Sequence, residues 1–318
     1  VKVSMQLIVE WFNVEYPDEE ACRLFFQNQK WPNGFKCTAC GHQEAYIINT
    51  RLQPLYECLG CRRQTSLTAK TIMHRSRTPL RKWLLAIYLV SNISGSINAV
   101  QLSSVISVTY KTAWSILHKI RKVISRLDDS FLLKGEIQGK HEIFMKQHFP
   151  SLSQLKKEKS VIIAKSTDSE GDYYKIKIID RNNLARQPLS EKEEREFMEL
   201  HSEESLSTIK LNPRFQRKYT CLPTSKGLVS SVNNSLSNIF AKPGYLSGSV
   251  AAAFQWMNDT FHGIGMRYAQ HYLDEHCFRL NYLWNDHSNG CGFERLCKSM
   301  MKDAIENREK GMDQLSAA

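Results

Sequence analysis

The 318-residue chain has no apolar run long enough to span a bilayer, although 42% of its residues are apolar; a span needs about 20 in a row. Its first residues also lack the charged-then-apolar pattern of a secretory signal. Both absences point to the cytoplasm, and in a bacterial cell to the nucleoid, with no membrane partner. Acidic residues are scarce over long stretches as well. Between Ala69 and Ser130, ten Lys and Arg stand against only Asp128 and Asp129, a local excess of +8 within a net charge of +11. Between Ser205 and Asn258 there is no Asp or Glu at all, against six Lys and Arg. A balance of this kind suits a polyanionic partner.

Paired cysteines are also few. Of nine cysteines, five (22, 221, 277, 291 and 297) show no paired spacing. The other four form Cys37-Thr-Ala-Cys40 and Cys58-Leu-Gly-Cys61, with 17 residues between the pairs. Two residues between cysteines allow a tight knuckle to turn both thiolates onto one tetrahedral ion at roughly 2.3 Å. In a reducing compartment this spacing favours structural Zn2+ over a pair of disulfides. Gly41 and Gly60 stand where such knuckles need backbone freedom. The segments Ala45–Ile48 and Leu55–Tyr56 read as strands of a hairpin between the knuckles. A unit this small has little core, so the metal supplies its folding energy. His42 lies close enough in sequence to compete, but four cysteines already complete the shell.

Behind the ribbon comes a helical pattern. Thr78-Pro79 offers a cap followed by proline at the first helical position, opening a mostly buried helix over Leu80–Val90 that carries Trp83 and Tyr88. After a break at Ser94-Gly95-Ser96, Ile97–Ile106 reads as one helix, Ser107-Val108 as a turn and Thr109–Ile124 as a second helix. Ala113, Ile116, Leu117, Ile120 and Ile124 fall at helical spacing and should face a core. This is the pattern of a helix-turn-helix, whose second helix presents its first turn to DNA while basic side chains reach phosphates. The expected DNA contacts are Arg75, Arg77, Arg81, Lys82, Tyr110, Lys111, Thr112, Lys119, Arg121 and Lys122.

Several motifs, taken together, are familiar. Trp31-Pro32-Asn33-Gly34-Phe35-Lys36-Cys37 precedes the first knuckle. Cys61 through Arg62-Arg63-Gln64-Thr65-Ser66-Leu67-Thr68 to Thr71-Ile72-Met73-His74 follows the second. Then come Pro79-Leu80 with Trp83, and Tyr110-Lys111-Thr112-Ala113-Trp114. These resemble bacterial insertion-sequence transposases that carry an N-terminal zinc ribbon and are related to the eukaryotic Merlin elements. The likeness is dense over about residues 15 to 125. It departs at Lys70 and Ser107, where the family usually has glycine.

The resemblance implies a following RNase H-like domain, a mixed sheet flanked by helices. Its strands would be Gly135–Phe144, Val161–Ser166, Tyr173–Ile179 and Ser207–Leu211, with a helix over Glu191–Glu204. A closing helix would span His271–Glu275 and Phe278–Asn281, with Phe293–Leu296 just beyond. Such domains use three carboxylates to hold two Mg2+ ions for phosphoryl transfer, and Mg2+ needs hard oxygen ligands. Here the three expected positions carry Lys140, Asn212 and Leu236. Period-two alternation places Glu136, Gln138, Lys140 and Glu142 on one strand face, so a two-residue slip would offer Glu142 as a substitute. No slip supplies the third acid, because Ser205–Asn258 has none. Mg2+ is therefore not expected.

The fold class expected is multidomain α+β: residues 1–68 an N-terminal helix and zinc ribbon, 69–128 a helix-turn-helix-like DNA-binding region, and 129–318 an RNase H-like domain with a degenerate triad. The leading functional expectation is a DNA-binding transposase-family protein without catalytic activity, holding structural Zn2+, in a regulatory or assembly role. Its third region would serve as a platform for a second copy of the chain or for another protein. Two alternatives stand beside it. One is an active metal-dependent transposase or nuclease with rearranged acids, and the other is a zinc-ribbon adaptor that binds protein.

Overall fold

A computed structural model describes residues 4–50, 53–92, 96–144, 158–168, 171–181, 185, 189–203, 216–220, 245–262, 264–282 and 291–302. The chain divides into two compact units, Val1–Val123 with Gly290–Ala318, and Ile124–Asn289.

In the first unit two helices precede the ribbon, where the sequence suggested one: α1 (Met5–Glu15) and α2 (Glu19–Lys30). Ser4 caps α1 and Asp18 caps α2, each side chain accepting an N–H of the first turn. Glu19 and Glu20 add negative charge at the start of α2, where the helix dipole favours it. Strands β1 (Ala45–Ile48), β2 (Leu55–Cys58) and β3 (Gln64–Ser66) form an antiparallel sheet in the order β1-β2-β3. The expected hairpin is thus joined by a third strand. The sheet is anchored to α2 through Tyr56, which is 2% exposed. Its ring lies 4.8 Å from Trp31 and 6.0 Å from Phe35, and its hydroxyl donates to Gln27 Oε1 at 2.8 Å.

Three helices follow: α3 (Leu80–Asn92), α4 (Ala99–Val105) and α5 (Tyr110–Ser130). Helix α3 is buried on nearly every side, as its apolar density requires. Its first free N–H groups do not rest on Thr78. The Glu19 carboxylate of α2 accepts both, from Leu80 at 2.6 Å and Arg81 at 2.9 Å. Asn98 and Gln101 form a capping box on α4, and Thr109 Oγ1 accepts from Thr112 N at 3.2 Å at the start of α5. Ala113, Ile116, Leu117, Ile120 and Ile124 are all buried, the face that the spacing predicts. The turn between α4 and α5 is a Schellman motif. Val108 N donates to Ser103 O at 3.1 Å and Ser107 N to Ser104 O at 3.4 Å, with Ser107 at φ 50°. The helix Cys291–Met301 (α9) also belongs to this unit and packs on α2 and α3. Its Phe293 stacks on Phe25 at 5.7 Å and meets Tyr88 edge-on at 5.2 Å. From sequence alone, this segment reads with the third region.

The second unit contains β4 (Glu136–Phe144), β5 (Lys159–Asp168), β6 (Gly171–Ile179), α6 (Glu191–His201), β7 (Gln216–Thr220), α7 (Tyr245–Phe261) and α8 (Ala269–Tyr282). The sheet order is β6-β5-β4-β7. Val161, Ile163, Tyr174 and Ile176 pack on one face beneath Val250, Ala253 and Met257 of α7 and Leu273 and Cys277 of α8. Ile137, Ile162 and Ala164 pack on the other beneath Phe197 and Met198 of α6. Helix α8 also covers the edge of β6. Gln270 accepts from Ile178 N and donates to Ile176 O, and Asn281 does the same for Tyr174 N and O, at 2.8 to 2.9 Å. These side-chain amides satisfy edge groups that would otherwise invite another strand.

Helices cover both sheet faces, as the resemblance implies. Where it implies a mixed sheet, however, the four described strands pair antiparallel throughout. Among the described residues, parallel pairing is confined to the isolated bridge Leu133–Ser202. The strand at Gln216–Thr220 is not foreseen by the sequence reading. The expected strand Ser207–Leu211, and positions Asn212 and Leu236, lie outside the described residues.

Candidate metal centre and nucleic-acid interface

The two cysteine knuckles are built alike. Cys37 N donates to His42 O at 2.8 Å and Gly41 N to Cys37 O at 2.9 Å; Cys58 N donates to Arg63 O at 3.0 Å and Arg62 N to Cys58 O at 2.9 Å. The residue after each second cysteine adopts a left-handed conformation, Gly41 at φ 77° and Arg62 at φ 60°. Gly41 therefore has the role expected of it, whereas in the second knuckle that role falls to Arg62. Gly60 matters for another reason: a Cβ there would meet the His42 ring at 3.2 Å. His42 thus packs against the second knuckle and stands apart from the sulfur set.

The four sulfurs lie within 4.8 Å of one another. Cys37 Sγ is 3.7 Å from Cys61 Sγ, and Cys40 Sγ is 3.5 Å from Cys58 Sγ. A tetrahedral ion with Zn–S bonds of roughly 2.3 Å needs sulfurs about 3.8 Å apart, so the donor set and spacing both fit zinc. The distances are also far beyond a disulfide bond of about 2.0 Å. The N–H groups of Ala39 and Cys40 draw the Cys37 thiol down to about 6. The N–H of His42 pulls Cys40 the same way, but the neighbouring Cys61 and Cys58 sulfurs outweigh it and push this thiol up to about 12. Four thiols this close compete for negative charge, and a divalent cation relieves that competition. Among the described residues, this quartet is the only group of three or more such side chains placed to hold a metal ion.

The expected DNA contacts divide into two sets. Arg75, Arg77, Tyr110, Lys111 and Lys122 are exposed. A cleft of about 310 Å³, lined by Ser76, Thr78, Lys111, Thr112 and Lys119 among others, sets the loop carrying Arg75 and Arg77 beside the first turns of α5. The other residues are buried or held by hydrogen bonds. Arg81 donates to Tyr16 O at 3.2 Å and Asn13 Oδ1 at 2.6 Å, and its guanidinium lies 5.4 Å from the Phe12 ring centroid. Lys82 donates to Ser107 O at 2.8 Å. Lys119 donates to Ile72 O at 2.9 Å beside the Trp83 ring, and burial lowers its pKa. Arg121 is 3% exposed, and Thr112 Oγ1 lies 2.9 Å from Thr109 Oγ1. Helical spacing placed Lys119 and Arg121 away from the core of α5, but other segments cover those faces.

At the first of the three triad positions, the described one, the geometry is of an ion pair. Lys140 and Glu142 share the strand face that alternation predicts, and Lys140 Nζ lies 2.8 Å from Glu142 Oε1. Three further carboxylates gather around an ammonium group, with Lys177 Nζ 2.8 Å from Asp128, 2.8 Å from Asp129 and 3.0 Å from Asp274. Burial pushes the Asp274 carboxyl up to about 6 against the pull of Lys177. Burial opposes the charge on Lys177 as well, but Asp128 and Asp274 hold its pKa above the ordinary value. This cluster escaped the sequence reading because its members come from α5, β6 and α8. The alternation of Lys175 and Lys177 in an otherwise apolar strand was the available signal.

Residues 17–64 match the family model for a transposase zinc-ribbon domain of the IS1595 type. The chain is also 27% identical over 124 residues to an uncharacterized protein in the transposable element ISH50 of Halobacterium salinarum. That likeness covers 35% of this chain and 40% of the relative's length. No solved structure matches the chain.

Proposed function

We propose that this protein is a DNA-binding member of the insertion-sequence transposase group, with a zinc-held ribbon and an RNase H-like domain that has lost its metal-binding triad. The observation that carries this reading is the four-sulfur cluster, set in a segment that matches a transposase zinc ribbon. Zinc is structural here, because four protein thiolates leave no open position for substrate. Support for DNA binding comes from Arg75, Arg77 and Lys111, exposed around the first turn of α5. Helices α4 and α5, joined by a tight Schellman turn, are the proposed helix-turn-helix. Support for lost catalysis comes from Lys140, paired with Glu142, at the first acid position. Asn212 and Leu236 stand at the other two, in an interval without a carboxylate. The sheet unit then acts as a platform for DNA, a second copy of the chain or a protein partner.

The test is to measure full-chain affinity for duplex DNA across a salt series, together with cleavage and strand transfer in Mg2+ or Mn2+. The expected result is affinity that falls steeply with salt and no metal-dependent cleavage. Negligible binding at low salt would favour a protein-binding adaptor. Cleavage lost in Glu142→Ala would show an active enzyme with rearranged acids.

A further inference from the structure

A second basic concavity of the first unit, larger than the cleft beside α5, lies at the ribbon. A groove of about 1050 Å³ runs beside the ribbon, and among the described residues no Asp or Glu lines it. Lys36 and Arg63 flank the cysteine knuckles, Lys70 and His74 come from the segment after β3, and Lys298 and Lys302 come from α9 and its end. Lys36, Arg63, His74, Lys298 and Lys302 are exposed. Among the described residues, the four cations of that set make no ion pair.

We propose that this groove, built jointly by the zinc ribbon and helix α9, holds the phosphate backbone of DNA. The inference rests on the DNA-binding reading above and gives it a second contact surface. Three observations favour phosphate as the occupant. Cations gathered without carboxylates keep a shell of mobile anions, and a polyanion gains entropy by displacing its own counterions when it binds them. The groove's aromatic residue, Trp31, is 8% exposed and packs on Phe35 and Tyr56, so its ring is not offered for stacking on unpaired bases. Lys30, the remaining cation in the wall, is held inward: its ammonium donates to Leu67 O at 2.7 Å and Ala69 O at 2.8 Å. It shapes the groove, and the surrounding lysines and arginine supply the reach. Since Cys37, Thr38, Ala39 and Gly41 also line the wall, the metal centre sets the groove's shape.

The test uses the full chain loaded with zinc and a fluorescent DNA duplex of defined length. Affinity is measured by anisotropy over a salt series for wild type, Lys36→Gln/Arg63→Gln and Lys298→Gln/Lys302→Gln. Each phosphate contact contributes about 0.9 to the slope of log affinity against log salt. Each double variant should therefore flatten that slope by about 2, with zinc content and melting temperature unchanged. Lys192→Gln, on α6, should leave the slope as it is. If both doubles keep the wild-type slope while Arg77→Gln/Lys111→Gln lowers it, the groove proposal fails and the DNA-binding reading stands. Loss confined to the ribbon double would remove α9 from the site and overturn the joint groove. Wild-type protein with no salt-dependent binding would defeat both readings.

Discussion

The ribbon of the first unit and the sheet of the second solve the problem of a stable core by different means. The ribbon's strands are only 4, 4 and 3 residues long, and Tyr46 and Ile47 of β1 are exposed at 64% and 40%. Little apolar surface is buried there, so the fold depends on four sulfurs and on Tyr56 wedged against Trp31. In the second unit β5 and β6 run for 10 and 9 residues, and both sheet faces are covered by apolar helix surface. A small sheet needs a metal to close it, whereas a large one needs burial on two sides. Each unit should therefore fail under a different insult.

The largest effect expected is from Cys58→Ser, or from a strong chelator. Either should release the metal and abolish ribbon structure while the second unit keeps its far-UV signal and cooperative melt. Zinc content and unit-resolved hydrogen exchange would show this, and equal loss of protection in both units would break the comparison. Ile176→Ala should do the reverse. Ile176 is fully buried in the face beneath α7 and α8, so truncation should cost about 2–5 kcal/mol in denaturant unfolding of the second unit with zinc retained. A smaller loss is expected from Glu19→Ala. Removing the carboxylate that receives Leu80 N and Arg81 N should cost about 2 kcal/mol in the first unit, with no change in the second.

The smallest effect is a gain. Lys70 at φ 63° and Ser107 at φ 50° adopt left-handed conformations that cost a side-chain-bearing residue about 1–2 kcal/mol. Glycine avoids that strain but has more conformational entropy to lose on folding. Lys70→Gly and Ser107→Gly should each stabilise the first unit by about 0.5–1 kcal/mol, read as a raised melting temperature. A loss of stability at Ser107→Gly would mean that the serine side chain contributes more than its backbone strain costs.

Much of the molecule was legible from local signals. The cysteine spacing picked out the four residues whose sulfurs converge, and the spacing along α5 placed its buried face. Alternation put Lys140 and Glu142 side by side on β4. The departures at Lys70 and Ser107 were visible as missing glycines, and the left-handed φ values explain why glycine is usual there. The illegible features were those made by distant partners. Arg62 lacks the glycine signature, yet it repeats the turn of Gly41. Nothing at Thr78 reveals that α3 is capped by Glu19, roughly 60 residues earlier. Lys119 and Arg121 looked free because helical periodicity describes one helix and not the segments packed around it.

By itself, the sequence determined what depends on short-range chemistry: a set of four cysteines at paired spacing, most of the helices and strands, and long stretches rich in Lys and Arg with few acids. Tertiary structure decided which of those charges remain available. It drew Arg81, Lys119 and Arg121 into the fold and paired Lys140 with Glu142. It gathered three carboxylates around Lys177 and brought Lys298 and Lys302 to the ribbon's groove. The physical reason is that a charge's role depends on its neighbours within a few ångströms, and the chain supplies those neighbours from positions that local patterns do not connect.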